Sequence, residues 1–231
     1  GPVDHTLPEW FKRKEEVARK EKAVALNEIA RSRFSVLIGP AGTGKTTVLN
    51  LLSEQPQIKN TKILRLAPTG KARVKLGFDA KTIAQFLLEW QRYDPVTGRY
   101  FINPKAEQYS EAKTVIVDEA SMMTEDQLAA LFDAVTGIDR FILVGDHRQL
   151  PPIGAGRPFV DVVNYLMPGT FPPDEPRVSK GYAELETIFR QTDKKDIGKV
   201  EGEISRLKEE LSRTSEYVQR LEGLTRKGES S

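Results

Sequence analysis

The octapeptide Gly39-Pro40-Ala41-Gly42-Thr43-Gly44-Lys45-Thr46 restricts this chain more than any other stretch. It follows the apolar run Phe34-Ser35-Val36-Leu37-Ile38 and precedes a helical pattern, so the glycines fall between a buried strand and a helix. Glycine adopts backbone angles closed to other residues, which lets such a loop curl until its N–H groups converge at the positive end of the helix. That geometry cradles phosphate. Gly39, Ala41, Gly42, Thr43, Gly44, Lys45, Thr46 and Thr47 are therefore the candidate nucleotide-binding residues, Lys45 reaching β- and γ-phosphates and the Thr46 hydroxyl holding Mg²⁺.

Three further apolar runs, Ile63–Ala67, Thr114–Val117 and Phe141–Val144, read as buried parallel strands, since both faces of a parallel sheet are covered and its strands do not alternate with polar residues. Helical patterns such as Ala80–Trp90 and Glu125–Val135 separate them, which predicts a doubly wound α/β domain. The segment RYDPVTGRYF at 92–101 reads as a β-hairpin, and the prolines of PGTFPPDEPR at 168–177 dictate a surface loop. Residues 8–31, with Phe11, Val17, Val24 and Leu26 among many charges, predict one long or two broken surface helices. After Thr192, Ile197, Ile204, Leu211 and Val218 recur every seven residues, as do Val200, Leu207, Thr214 and Leu221, a coiled-coil pattern over 197–224 that seeks a helix partner. The expected organisation is a helical segment at 1–31, an ATPase-like domain at 32–192, and a heptad helix with a disordered tail at 193–231; Gly1-Pro2 reads as the remnant of tag removal.

The 231 residues suffice for one well-buried domain and an appendage, and a net charge of +2 makes any polyanion site a local feature. Zero cysteines and two histidines exclude disulfides, thiolate nucleophiles and a histidine metal cage. No apolar run reaches the ~20 residues that span a bilayer, so a protein without membrane association is expected, cytoplasmic, or nuclear in a eukaryote.

Asp118 and Glu119 end the run Val115-Ile116-Val117. Alone, an Asp-Glu pair is commonly a solvated turn. Downstream of a phosphate loop, Asp118 fits a Mg²⁺ ligand and Glu119 the residue that orients or deprotonates water. Gly145-Asp146-His147-Arg148-Gln149 leaves the last run, and Gln149 is placed to sense a γ-phosphate; His147 reads as a loop residue. Lys62, Arg65, Lys71, Arg73 and Lys75 occur with no acid between Thr61 and Phe78. Such a run is either a solvated helix face or a surface for a nucleic-acid backbone.

Taken in order, GPAGTGKT, APTGKA, VDEASM, GDHRQLPP and LETIFRQ resemble the superfamily-1 helicases of the RecD-like branch, from about Ala23 to Gln191. The resemblance implies a RecA-like P-loop NTPase fold, Mg-ATP hydrolysis, single-stranded DNA binding and 5′-to-3′ movement. It makes Lys45, Glu119, Gln149 and Arg190 the catalytic set, Thr46 and Asp118 the metal ligands, and Pro68, Thr69, Lys71 and Thr82 the DNA contacts. It also implies a second RecA-like domain as partner, which nothing after Gln191 resembles. The glutamine with which the family reads adenine aligns with Lys22, and a family histidine with Ala84. A GTPase is disfavoured because no Asn-Lys-x-Asp occurs and no Asp-x-x-Gly follows the loop; a regulatory P-loop ATPase or nucleotide-dependent assembly module stands as the alternative.

Overall fold

Alternate residues of the central strands leave the sheet on opposite faces, and both faces are covered, which is why the apolar runs do not alternate. A computed structural model describes residues 9–77, 79–149 and 156–188, all within one compact unit, Pro8–Ile188. In chain order its elements are α1 (Glu9–Arg31), β1 (Phe34–Ile38), α2 (Lys45–Ser53), α3 (Pro56–Lys59), β2 (Lys62–Ala67), α4 (Gly70–Leu76), β3 (Lys81–Thr82), α5 (Ile83–Glu89), β4 (Tyr93–Asp94), β5 (Arg99–Tyr100), β6 (Ala112–Val117), a 3₁₀ turn (Ala120–Met122), α6 (Glu125–Ala134), β7 (Arg140–Gly145), α7 (Pro158–Leu166), β8 (Val178–Ser179) and β9 (Tyr182–Glu184). The main sheet has the order β3-β2-β6-β7-β1-β9-β8, parallel throughout except that β8 runs antiparallel to β9.

Val36, Ile38, Val115, Val117, Phe141 and Leu143 face one core with Phe86 of α5, Leu131 of α6 and Phe159 of α7. Leu37, Ile116, Ile142 and Val144 face the other with Ile29 of α1, Val48 and Leu52 of α2, and Ile58. The four predicted strands and the helices α5 and α6 are thus present. The first three residues of the expected helix Ala80–Trp90 lie ahead of α5, and Lys81 and Thr82 pair with Leu66 and Ala67 instead. Thr82 then caps α5, and Thr124 caps α6, each in a reciprocal box with the glutamine three residues on.

The N-terminal segment is one helix, and only some of its apolar residues face inward. Phe11, Ala18, Ala25 and Ile29 go inward, whereas Val17 and Val24 are exposed. Two carboxylates decide the roll of the helix. Glu28 accepts hydrogen bonds from the Gly181 N–H (2.8 Å) and the Ser32 hydroxyl (2.5 Å), and Glu21 accepts from the Thr187 N–H and hydroxyl (3.1 and 2.9 Å). Burial alone would raise the Glu28 pKa, but Ser32, Gly181 and Arg31 outweigh it and hold the group below its ordinary value.

The hairpin forms where expected, Tyr93 opposite Tyr100 with stacked rings 4.5 Å apart. What holds its base is Arg92, whose side chain is fully buried. Its guanidinium donates to Asp133 Oδ2 (2.8 Å) and to the carbonyls of Trp90 (2.5 Å), Glu107 (2.9 Å), Asn103 (3.2 Å) and Asp133 (3.1 Å). The proline-rich stretch 168–177 is a loop. The heptad segment at 193–231 lies outside the described residues.

Candidate functional site

The parallel strands end on one edge of the sheet, and each motif follows a strand's last residue. Ile38 lies beside Gly145 and Glu184, and Val117 beside Leu143 and Leu66. The glycine loop, the Asp118-Glu119 pair and the Asp146–Gln149 turn therefore leave neighbouring strands, with β7 between β1 and β6. In open α/β sheets this edge is where ligands bind.

Gly39 donates its N–H to the Gly145 carbonyl (3.2 Å), which ties the glycine loop to the end of β7. Its φ is +154°, and a Cβ there would overlap the Leu185 carbonyl oxygen and stand 2.9 Å from Thr43 Oγ1. Only glycine fits where the chain leaving β9 passes so close. Within the loop the buried Thr43 donates its hydroxyl to the Pro40 carbonyl (2.9 Å), and the Lys45 ammonium donates to the carbonyls of Gly39 (2.6 Å) and Pro40 (3.1 Å). Gly44, at φ +92°, brings no side chain to cap α2, so the N–H groups of its first turn face the loop mouth. Ala41, Gly42, Thr46 and Thr47 are exposed there, and Gly44 and Lys45 are half-buried.

Asp118 donates its N–H to the Leu66 carbonyl and accepts the Glu119 N–H on Oδ1, both at 2.9 Å. Glu119 has φ 53° and ψ 36°, a left-handed conformation that costs a residue with a side chain roughly 1–2 kcal/mol. It turns the chain sharply out of β6 into the 3₁₀ turn, and both carboxylates stay half-buried at the strand end. Ser121 on that turn donates its hydroxyl to Gln149 Oε1 (3.3 Å), joining this segment to the turn after β7. The latter is built locally, with Asp146 accepting the Arg148 N–H (3.0 Å) on its carboxylate and the Gln149 N–H (3.1 Å) on its carbonyl. A carboxylate at Asp118 and a hydroxyl at Thr46 are hard oxygen donors of the kind Mg²⁺ takes alongside phosphate oxygens. Among the described residues no group of three or more His, Cys, Asp or Glu forms a metal cage.

Pro68, Thr69 and Lys71 follow β2, and Thr82 ends β3 beside Ala67, so the candidate DNA contacts share the far end of the same edge. Both threonines have structural work there: Thr69 accepts the Ala72 N–H (3.2 Å) and Thr82 the Gln85 N–H (3.1 Å) as helix caps. Lys71 is exposed. Arg190 lies outside the described residues.

On the other side of β1, Glu184 is buried at the end of β9 and pairs with Arg177 (2.7 Å) and, at 4.0 Å, with Arg148 of the motif turn. Burial and this carboxylate hold the Tyr182 hydroxyl above the ordinary phenol range, so it donates to Glu184 (2.8 Å).

The family described as "AAA domain" matches residues 18–222, a span that begins in α1 and contains every motif above. The chain belongs to this family. It is similar to an uncharacterised protein of Methanocaldococcus jannaschii, MJ1519 (32% identity, 84% of this chain, 18% of that protein). It is likewise similar to a conjugal transfer protein TraA of Rhizobium radiobacter (31%, 83% and 16%) and to an ATP-dependent RecD2 DNA helicase of Deinococcus radiodurans (34%, 61% and 19%). The chain spans less than a fifth of the length of these relatives. The superfamily-1, RecD-like resemblance drawn from the motifs is borne out.

Several residues that shape this AAA domain escaped the reading of the motifs. Ser121 stood inside VDEASM as an unassigned hydroxyl. Gly145 leaves room for Phe159, whose ring would stand 3.0 Å from a Cβ at that position. Leu185 closes on Gly39 through its backbone alone, for which no side-chain signal exists.

Proposed function

We propose that this domain binds Mg-ATP in the loop Gly39–Thr46 and hydrolyses it, and that in longer proteins of its kind hydrolysis drives 5′-to-3′ movement on single-stranded DNA. One observation carries the reading: hydrogen bonds from Gly39 to Gly145 and from Ser121 to Gln149 join the three motif loops that phosphoryl chemistry needs around one point. Lys45 would neutralise the β- and γ-phosphates, and Thr46 and Asp118 would hold Mg²⁺, which supplies charge neutralisation between phosphate oxygens when bound. Glu119 orients and deprotonates the attacking water, and Gln149 reports the γ-phosphate. The name of the Deinococcus relative, an ATP-dependent DNA helicase, supports the coupling to DNA.

In this reading residues 32–192 form the first motor domain, Arg190 reaches the γ-phosphate, and Pro68, Thr69, Lys71 and Thr82 grip the DNA backbone. A second RecA-like domain supplies a further cation, worth about 10³–10⁵ in rate, so this chain alone turns over slowly and does not unwind. Isothermal titration tests the core of the proposal. Wild type binds Mg-ATP and Lys45→Ala loses it; equal affinity in the two would refute the site.

A further inference from the structure

α1 reaches the glycine loop through a side chain outside the five ordered motifs. The two hydrogen bonds from Thr187 to Glu21 fix the roll of the helix, and the next residue, Lys22, is thereby turned onto Gly44. A Cβ placed on Gly44 would stand 2.6 Å from Lys22 Cε and 3.1 Å from its Nζ, so the lysine stem crosses the backbone at the point where the loop enters α2. A lysine on a charged surface helix ordinarily extends into water. Here its ammonium lies beside Gly44 at one end of the loop, while that of Lys45 is held at the other, on the Gly39 and Pro40 carbonyls.

We propose that Lys22 is a second phosphate-binding cation, and that it takes the α–β end of a nucleoside di- or triphosphate. The proposal rests on reading Gly39–Thr46 as a phosphate loop. In such a loop the lysine that opens the helix serves the β- and γ-phosphates, and backbone N–H groups serve α and β. A phosphate chain lying along those N–H groups, with its terminal end at Lys45, brings its α–β end to the mouth of α2, where Lys22 stands. An ammonium is a point charge with no fixed fork, so it adds affinity for phosphate without reading the base. ADP and ATP should therefore depend on it equally.

Titration calorimetry of ADP and ATP with wild type, Lys22→Met, Lys22→Arg and Lys45→Ala, repeated over a range of NaCl, tests this. Methionine keeps the stem across Gly44 and removes only the charge. Lys22→Met should weaken both nucleotides by the same factor, roughly five- to tenfold for one half-exposed charge-assisted contact, with a shallower salt dependence. Lys22→Arg should stay near wild type. If Lys22→Met binds both nucleotides like wild type while Lys45→Ala loses them, Lys22 only packs on Gly44 and the inference falls. If Lys45→Ala also binds like wild type, the phosphate-loop reading fails, and this inference with it.

Discussion

Replacing Arg92 by Met removes one guanidinium and leaves several groups without their donor, so its cost can be worked out from the contacts. Arg92 is fully buried, and the side chain of its partner Asp133 is 19% exposed. Methionine fills most of the stem volume, which keeps the cavity contribution small. What is lost is the pairing. Asp133 retains the Asn103 N–H (2.9 Å), but the carbonyls of Trp90, Asn103 and Glu107 lose the Arg92 donor. Breaking a buried pair from one side costs about 3–5 kcal/mol. The exposed pair Lys62–Glu111, with side chains 59% and 60% accessible, sets the contrast, since solvent screens such pairs and they add little to stability. In urea unfolding followed by far-UV circular dichroism at neutral pH, Arg92→Met should lower the midpoint by roughly 1–2 M at a slope of about 2–3 kcal/mol/M, while Lys62→Met barely moves it. Adding Asp133→Leu to Arg92→Met should recover part of the loss, because no uncompensated charge then stays behind, although the carbonyls remain without a donor and the Asn103 N–H loses its acceptor. A loss below about 1 kcal/mol for the single variant would show that water or a rearranged loop takes over the guanidinium's partners, and that the hairpin base is not held as described.

Gly39→Ala should abolish nucleotide binding and lower stability by about 2 kcal/mol, since its φ of +154° and the Leu185 carbonyl both exclude a side chain; unaltered melting and ATP affinity would contradict this. Asp133 and Glu28 both titrate below their ordinary values, because hydrogen bonds and arginines outweigh the burial that would raise them. A carboxyl whose folded pKa is depressed contributes its full stability above the unfolded value and loses it as pH falls through the folded one, so the urea midpoint should drop from about pH 5 downward. The drop should be shallower in Arg92→Met/Asp133→Leu, and identical profiles would remove Asp133 from the account.

Elements whose chemistry is local are legible in residue type alone. Phe34–Ile38, Ile63–Ala67, Thr114–Val117 and Phe141–Val144 are apolar on consecutive residues, a pattern that only burial on both faces explains, and all four form parallel strands of the sheet. The glycine loop was legible for the same reason, because its backbone demands are written in residue type. The hairpin at 92–101 declared itself by its turn residues. Other features depend on neighbours far along the chain and are set by packing. Val17 and Val24 are more apolar than Ala18 and Glu21, yet α1 turns the latter pair inward, because Glu21 and Glu28 find acceptor roles 166 and 153 residues away at Thr187 and Gly181. β3 and β9 have only two and three residues, too few for a periodicity, and exist through pairing with β2 and β1. The charge run after Lys62 left a solvated helix face and a nucleic-acid surface both open, and it did not reveal that Thr69 and Thr82 are helix caps. Arg92 entered the sequence reading only as the first residue of the hairpin segment, and only the fold could bury it, since a guanidinium leaves water where carbonyls from several segments meet around it.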